Sequence, residues 1–196
     1  MPDATVDGTA ADGKTEDGPP VDGMTEDGPR VDGPPVDGRR ASDSYTEMVQ
    51  VVLPNDANPL GFILGGTVMH LMDIAGAIAS FRHTRQRVVT AAVDGLQFLH
   101  PIKVGDLIIL QAQVTAAFST SLEVEVLVRS EEALTGVHKL TSRAYFTFVA
   151  IDEAGHPVDV PALALDTAED RAREDGARAR RAARLDARAM MRRADV

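Results

Sequence analysis

At 196 residues with 44% hydrophobic content, the chain has room for one ordinary domain with appendages. The absence of cysteine excludes disulfides, thiolate zinc sites and cysteine nucleophiles, and a net charge of −10 disfavours broad nucleic-acid binding. Three lysines stand against seventeen arginines, an acidic and lysine-poor balance that resembles proteins of salt-loving microbes, although a GC-rich genome also favours arginine over lysine. The N-terminus carries neither the basic region nor the apolar run of a signal peptide, so a cytoplasmic location is expected.

The first forty residues hold a repeat: Asp-Gly recurs every five residues from Asp7 to Asp37, with Pro, Val, Thr and Glu between. A period of five matches neither helix nor strand, and no aromatic residue precedes Tyr45, so residues 1–43 are expected to form a disordered acidic leader. The repeat lacks the closely spaced oxygens and closing Glu of a calcium loop. A solvating leader is the better reading.

Tyr45–Leu53 alternates as a first strand and stops at Pro54. A loop with Pro59 and Gly61 then feeds Gly65-Gly66 and a run free of helix breakers to Arg82, which places a helix from Gly66 onward. Glycine there lets backbone approach a ligand, and the unpartnered N–H groups of a helix start suit an oxygen gaining negative charge. Val68, Leu71, Met72, Ala75, Ile78 and Ala79 make an apolar stripe that Met69, Ile74 and Phe81 widen almost all round, so the helix should be buried on most sides. Asp73 sits in mid-helix above Gly76, Ala77 and Ser80, a strip of small residues with room for a substrate or for another backbone. A buried carboxylate is costly without a partner, so Asp73 is either bonded structurally or poised for chemistry. The apolar run from Phe62 to Phe81 is long enough to raise a membrane span, but the central Asp73, His70 and Gly65-Gly66 argue against one.

Beyond the helix, Val88–His100, Leu107–Ala117, Leu122–Arg129 and Val137–Ile151 read as strands joined by short connections, the mark of an antiparallel sheet. One long helix against five strands gives an α+β domain over residues 44–161, with the sheet curled around the helix. Residues 162–196 turn Ala/Arg-rich and read as a polar helix with Gly176 as a weak point. That tail is either solvated, or a phosphate or subunit contact made by Arg178, Arg180, Arg181 and Arg184.

A set of ordered motifs gives the domain a resemblance. NPLGFILGGT at Asn58–Thr67, LMDIAG at Leu71–Gly76, RH at Arg82-His83, VVTAAVD at Val88–Asp94, FLHPIKVGD at Phe98–Asp106, TSLEVEV at Thr120–Val126 and AYFTFVA at Ala144–Ala150 resemble the hotdog-fold acyl-CoA thioesterases of the acyl-CoA hydrolase type. The resemblance implies a five-stranded antiparallel sheet wrapped around one central helix. It implies hydrolysis of an acyl-CoA thioester to acid and CoA without metal or other cofactor, in a homodimer that assembles further into a hexamer. It places a loop Asn at Asn58 and a helix Asp at Asp73, cooperating across the dimer interface, with Asp73 as general base or, less favoured, as nucleophile. Backbone N–H groups around Gly65 and Gly66 would hold the oxyanion. Arg82, His83, Arg85, Ser119, Thr120 and Ser121 fall where relatives meet the CoA arm, although a solvated helix end and a hairpin tip would look the same. Leu64 stands where many relatives have His or Phe before the Gly-Gly pair. Hotdog hydratases, with Asp and His only a few residues apart, fit poorly because His83 lies ten residues beyond Asp73. A non-catalytic acyl-CoA sensor or assembly module is the alternative from another class. A DNA-binding helix pair, which such a sensor would bring, is found in neither tail. Acyl-chain length would depend on how Met69, Met72 and Phe98 pack against the facing subunit.

Overall fold

The computed structural model describes residues 38–194; the leader expected over residues 1–43 lies, up to residue 37, outside the described residues. In chain order the elements are β1 (Arg39–Arg40), a 3-10 turn (Ala41–Ser44), β2 (Thr46–Val51), a second 3-10 turn (Pro54–Asp56), α1 (Gly65–Thr84), β3 (Arg87–Phe98), β4 (Leu107–Ala117), β5 (Ser121–Glu131), β6 (His138–Ile151), β7 (Leu163–Ala164) and α2 (Ala168–Ala194).

Strands β2 to β6 form one antiparallel sheet in the order β2-β4-β5-β6-β3, so the two strands that flank α1 in sequence lie at opposite edges. Inward side chains of β4, β5 and β6, among them Leu110, Val124, Val126, Phe146 and Phe148, close over Val68, Met72, Ala75 and Ala79 of α1. Each such side chain contributes about 1.5–3 kcal/mol on burial. This is the α+β arrangement of a five-stranded sheet around a central helix that the resemblance implied.

The strip of small residues below Asp73 has a definite use. A Cβ on Gly76 would lie 2.9 Å from the Phe148 ring, and the fully buried Ser80 hydroxyl donates to the Gly76 carbonyl at 2.8 Å. At Gly76 and Ser80 the strip makes room for the sheet, while Ala77 is half-buried. Burial of α1 on most sides also needs correction, because Met69 and Phe81 are exposed.

Both ends of the described chain join the domain. Arg39 and Arg40, near the close of the expected leader, pair in parallel with β7, and the 3-10 turn that follows buries Ala41 and Ser44. Ser44 Oγ accepts the Val114 N–H at 2.9 Å. Gly38, the glycine of the last Asp-Gly repeat, lies so close to β7 that a Cβ would stand 3.0 Å from the Ala162 carbonyl oxygen.

The C-terminal stretch is neither a frayed tail nor a free cluster of arginines. Helix α2 runs unbroken through Gly176 and packs its fully buried Ala177 onto the outer face of the sheet. Arg180 makes two bonds to Glu123, a carboxylate only 1% exposed, and its guanidinium stacks 3.5 Å from the centre of the Tyr145 ring. Arg184 pairs with Asp94, Arg178 with Glu174, and Arg178 and Arg181 lie over Phe118.

Candidate active site

Asn58 ties together the loop ahead of α1. Its side-chain Oδ1 accepts the N–H groups of Leu60 and Phe62 at 2.9 and 3.2 Å, and its backbone N–H donates to the Phe62 carbonyl at 2.8 Å. With Oδ1 committed to the turn, only the Nδ2 donors remain for a ligand. The Ile63 N–H donates to Ile102 and the Val104 N–H to Gly61, which clamp the loop to the β3–β4 connection.

Helix α1 begins at Gly65, with Leu64 in extended conformation as its cap and no side-chain capping bond. Among the described residues the N–H groups of Gly65, Gly66 and Thr67 meet no protein acceptor, so the positive end of the helix dipole is open to an incoming oxygen. A Cβ on Gly65 would meet the Phe98 ring at 3.3 Å, whereas the space beside Gly66 is empty. Asn58 and Gly65 line one cavity of about 310 Å³, whose apolar wall includes Phe62, Val68, Phe98 and Ile102. Phe98 thus faces the cavity, while Met72 is fully buried in the core and Met69 is exposed.

Asp73 is half-buried two turns into α1, and Thr90 of β3 donates its hydroxyl to Asp73 Oδ1 at 2.5 Å. That bond holds one carboxylate oxygen in place. The other oxygen has no protein partner among the described residues. Asp73 does not line the cavity that holds Asn58; eight residues along the helix from Gly65 correspond to about 12 Å of rise. Within one chain the two residues are therefore apart. Asp73 and Thr90 lie instead beside β3, an edge strand with Val89, Val93 and Phe98 exposed.

Of the residues expected at the CoA arm, Arg85 caps α1 in a left-handed conformation (φ 57°) and is exposed. Ser119, Thr120 and Ser121 stand at the same end of the sheet, because Arg87 pairs with Ile151 and Ser121 with Val149. The Ser119 and Thr120 carbonyls accept the N–H groups of Val160 and Ala150. Arg82 is engaged by the chain itself, donating to the Tyr45 carbonyl and the Thr46 hydroxyl. His83 departs from the expected solvated helix end: it is fully buried, and its Nε2 bonds the Pro161 carbonyl at 2.9 Å while Nδ1 has no partner. Burial pushes its pKa down, only partly offset by the Pro161 bond. Its position next to Arg82 in sequence gave no sign of that burial. Thr90 is the site residue that sequence reading missed, since a threonine in a strand is unremarkable without knowing what it faces.

No group of three or more His, Cys, Asp or Glu side chains is placed to hold a metal among the described residues. No helix among them is long and apolar enough to cross a membrane.

Residues 60–137 match the family model described as the thioesterase superfamily. The chain is 38% identical over 119 residues to an uncharacterised acyl-CoA thioester hydrolase of Bacillus subtilis, covering 61% of this chain and 69% of that protein. It is 33% identical to the cytosolic acyl coenzyme A thioester hydrolase of Rattus norvegicus over 69% of this chain, but spans only 36% of that protein's length. Among solved structures it is similar to a hexameric acyl-CoA thioesterase, with a TM-score of 0.75 and 36% identity over 79% of this chain and 99% of that one. It is also similar to the acyl-CoA hydrolase of Staphylococcus aureus in complex with butyryl coenzyme A, coenzyme A and coenzyme A disulfide, with a TM-score of 0.71 and 31% identity over 81% of this chain and 99% of that one. Structures of the S. aureus protein exist with alanine in place of one Asp, one Asn or one Thr.

Proposed function

The chain belongs to the thioesterase superfamily as an acyl-CoA thioester hydrolase, and from that premise we propose that it hydrolyses acyl-CoA with Asp73 as general base and Asn58 of a second subunit as positioning group. The observation that carries this reading is the Thr90–Asp73 bond, which fixes one carboxylate oxygen and leaves the other free beside an open sheet edge. The residues altered in the S. aureus structures support it, because Asn58, Asp73 and Thr90 follow one another at the same intervals as the Asn, Asp and Thr replaced there.

Each site then combines Asn58, Gly65 and Gly66 of one subunit with the Asp73–Thr90 pair of its partner. Asp73 takes a proton from water as the water oxygen attacks the thioester carbonyl carbon. The carbonyl π electrons move to oxygen, where the N–H groups of Gly65 and Gly66 and the Nδ2 of Asn58 stabilise the charge. Collapse breaks the C–S bond, and the leaving thiolate receives the proton held by Asp73. The acyl chain lies in the apolar cavity walled by Phe62, Val68, Phe98 and Ile102. The CoA arm passes toward Arg85 and the Ser119–Ser121 tip, and Arg82 and His83 serve the fold rather than the ligand. A hexamer is the assembly proposed, on the likeness to a hexameric thioesterase, and a cytosolic setting on the name of the rat relative.

The test is release of free thiol from a panel of acyl-CoAs by the full chain and by Asp73→Ala. Turnover is expected for the native chain, with a loss of about a hundredfold or more in the variant. Binding of acyl-CoA without turnover by the native chain would favour the sensor reading, and near-normal turnover by a folded Asp73→Ala protein would remove Asp73 from the chemistry.

A further inference from the structure

The cavity that holds Asn58 and Gly65 is not apolar all round. Besides Phe98 and its apolar neighbours, the wall includes His100, Thr141 and Ser142. Each of these three side chains has a donor already committed to the protein. The Leu140 carbonyl can only accept, so the His100 nitrogen 3.0 Å from it, Nδ1, carries the hydrogen, and in the neutral ring Nε2 is left as an acceptor. Ser142 donates its hydroxyl to the Gln97 carbonyl at 2.7 Å and Thr141 to the Val128 carbonyl at 2.9 Å, which leaves only lone pairs on both oxygens. Past Asn58, the polar side chains of this wall offer acceptors and no donor.

That inventory limits what an acyl chain can carry. Among the described residues the lining holds no Lys, Arg, Asp or Glu, so neither an ammonium nor a carboxylate on the chain meets an opposite charge. A bare hydrocarbon lying over His100 would cover Nε2 and leave it unpaired. A hydroxyl meets neither objection, because it donates one hydrogen bond and is uncharged.

The placement of His100 agrees. Phe98 lies against Gly65, where the oxyanion is to be held, and Ser142 is its ladder partner on β6. The Leu99 N–H donates to the Thr141 carbonyl, which keeps the chain beside β6 just past the end of β3. His100 then follows two residues after Phe98, about 7 Å along an extended chain. Its acceptor thus stands away from the thioester, along the bound acyl group.

We propose that the chain selects hydroxylated acyl groups, with His100 Nε2 accepting the hydrogen bond of a hydroxyl on the acyl chain. The proposal rests on the acyl-CoA hydrolysis argued above and deepens it by naming the substrate class. His100 sets specificity here and takes no part in breaking the C–S bond.

The test compares kcat/KM of the full chain for butyryl-, hexanoyl- and octanoyl-CoA with that for the same thioesters hydroxylated at successive carbons. At least one hydroxylated form should exceed its unsubstituted parent by about tenfold, the upper range for a neutral hydrogen bond. In His100→Leu that ratio should fall to about one, since the apolar side chain no longer distinguishes the two substrates by a hydrogen bond. His100→Gln, which keeps both a donor and an acceptor, should restore part of it. His100 is exposed, so neither variant disturbs the core. Turnover with no gain from a hydroxyl at any carbon, or a gain that survives intact in His100→Leu, overturns the proposal alone. A native chain that hydrolyses none of these thioesters overturns the thioesterase reading and the proposal together.

Discussion

On the inner face of the sheet, α1 is held by Val68, Met72, Ala75 and Ala79 against Phe146 and Phe148, whereas on the outer face α2 is held by arginines set against Glu123, Glu125 and Asp94. The same strands supply both surfaces, because successive side chains point to opposite sides. Apolar burial on the inner side is non-directional, so it tolerates the one carboxylate and the open edge that chemistry needs. The outer side is the reverse: it depends on individual charge pairs, and Glu123 is buried only because Arg180 and Thr115 bond it.

Arg180→Ala puts the largest strain on this contrast. Removing one partner of a buried pair leaves an uncompensated charge, and with Arg180 partly exposed the loss should be about 3 kcal/mol, the low end for such a change. Chemical denaturation should record that loss, while turnover per folded molecule stays within about twofold of the native chain since α2 touches no reacting atom. Unchanged stability would mean that α2 is held mainly by Ala177 and its neighbours.

Thr90→Val sharpens the comparison from the inner side. It keeps the shape of a β-branched residue but removes the hydroxyl that bonds Asp73. A hydrogen bond to a charged group is worth about 1.5–3 kcal/mol, so turnover should fall about tenfold or more. Stability should hardly change, because Thr90 is exposed. Full activity in the variant would show that the carboxylate is positioned by something else.

His83 joins the two faces, since its bond to Pro161 fastens the end of α1 to the segment that leads to α2. Burial lowers its pKa below the ordinary 6.5. The unfolded chain therefore binds a proton near that value while the folded chain does not, and stability present above it is lost as pH falls toward the folded pKa. Melting temperature measured across this range should decline more steeply for the native chain than for His83→Gln. Parallel profiles would assign the acid sensitivity to other groups.

The inner face was legible in the sequence and the outer face was not. The stripe on α1 and the alternation of β4, β5 and β6 state directly which residues share a surface. The small residues at Gly76 and Ser80 were visible too, but whether they admit a ligand or Phe148 depends on a strand seventy residues later. For α2, arginines at helical spacing look alike whether solvated or paired, and their partners lie in distant strands. His83 and Thr90 show the same limit: one reads as a helix end and the other as a strand residue until the fold brings Pro161 and Asp73 beside them.

The central claim is that each site is shared between two subunits, and subunit exchange tests it most directly. Asn58→Ala and Asp73→Ala proteins, each nearly inactive alone, are mixed and allowed to exchange, with exchange verified by mass. Random pairing makes half the dimers mixed, and each of those carries one intact site and one doubly damaged site, so activity should return to about a quarter of the native level by two-fold symmetry. Activity that stays at the level of the parents after verified exchange would contradict the account, because Asn58 and Asp73 would then serve the same subunit or not cooperate.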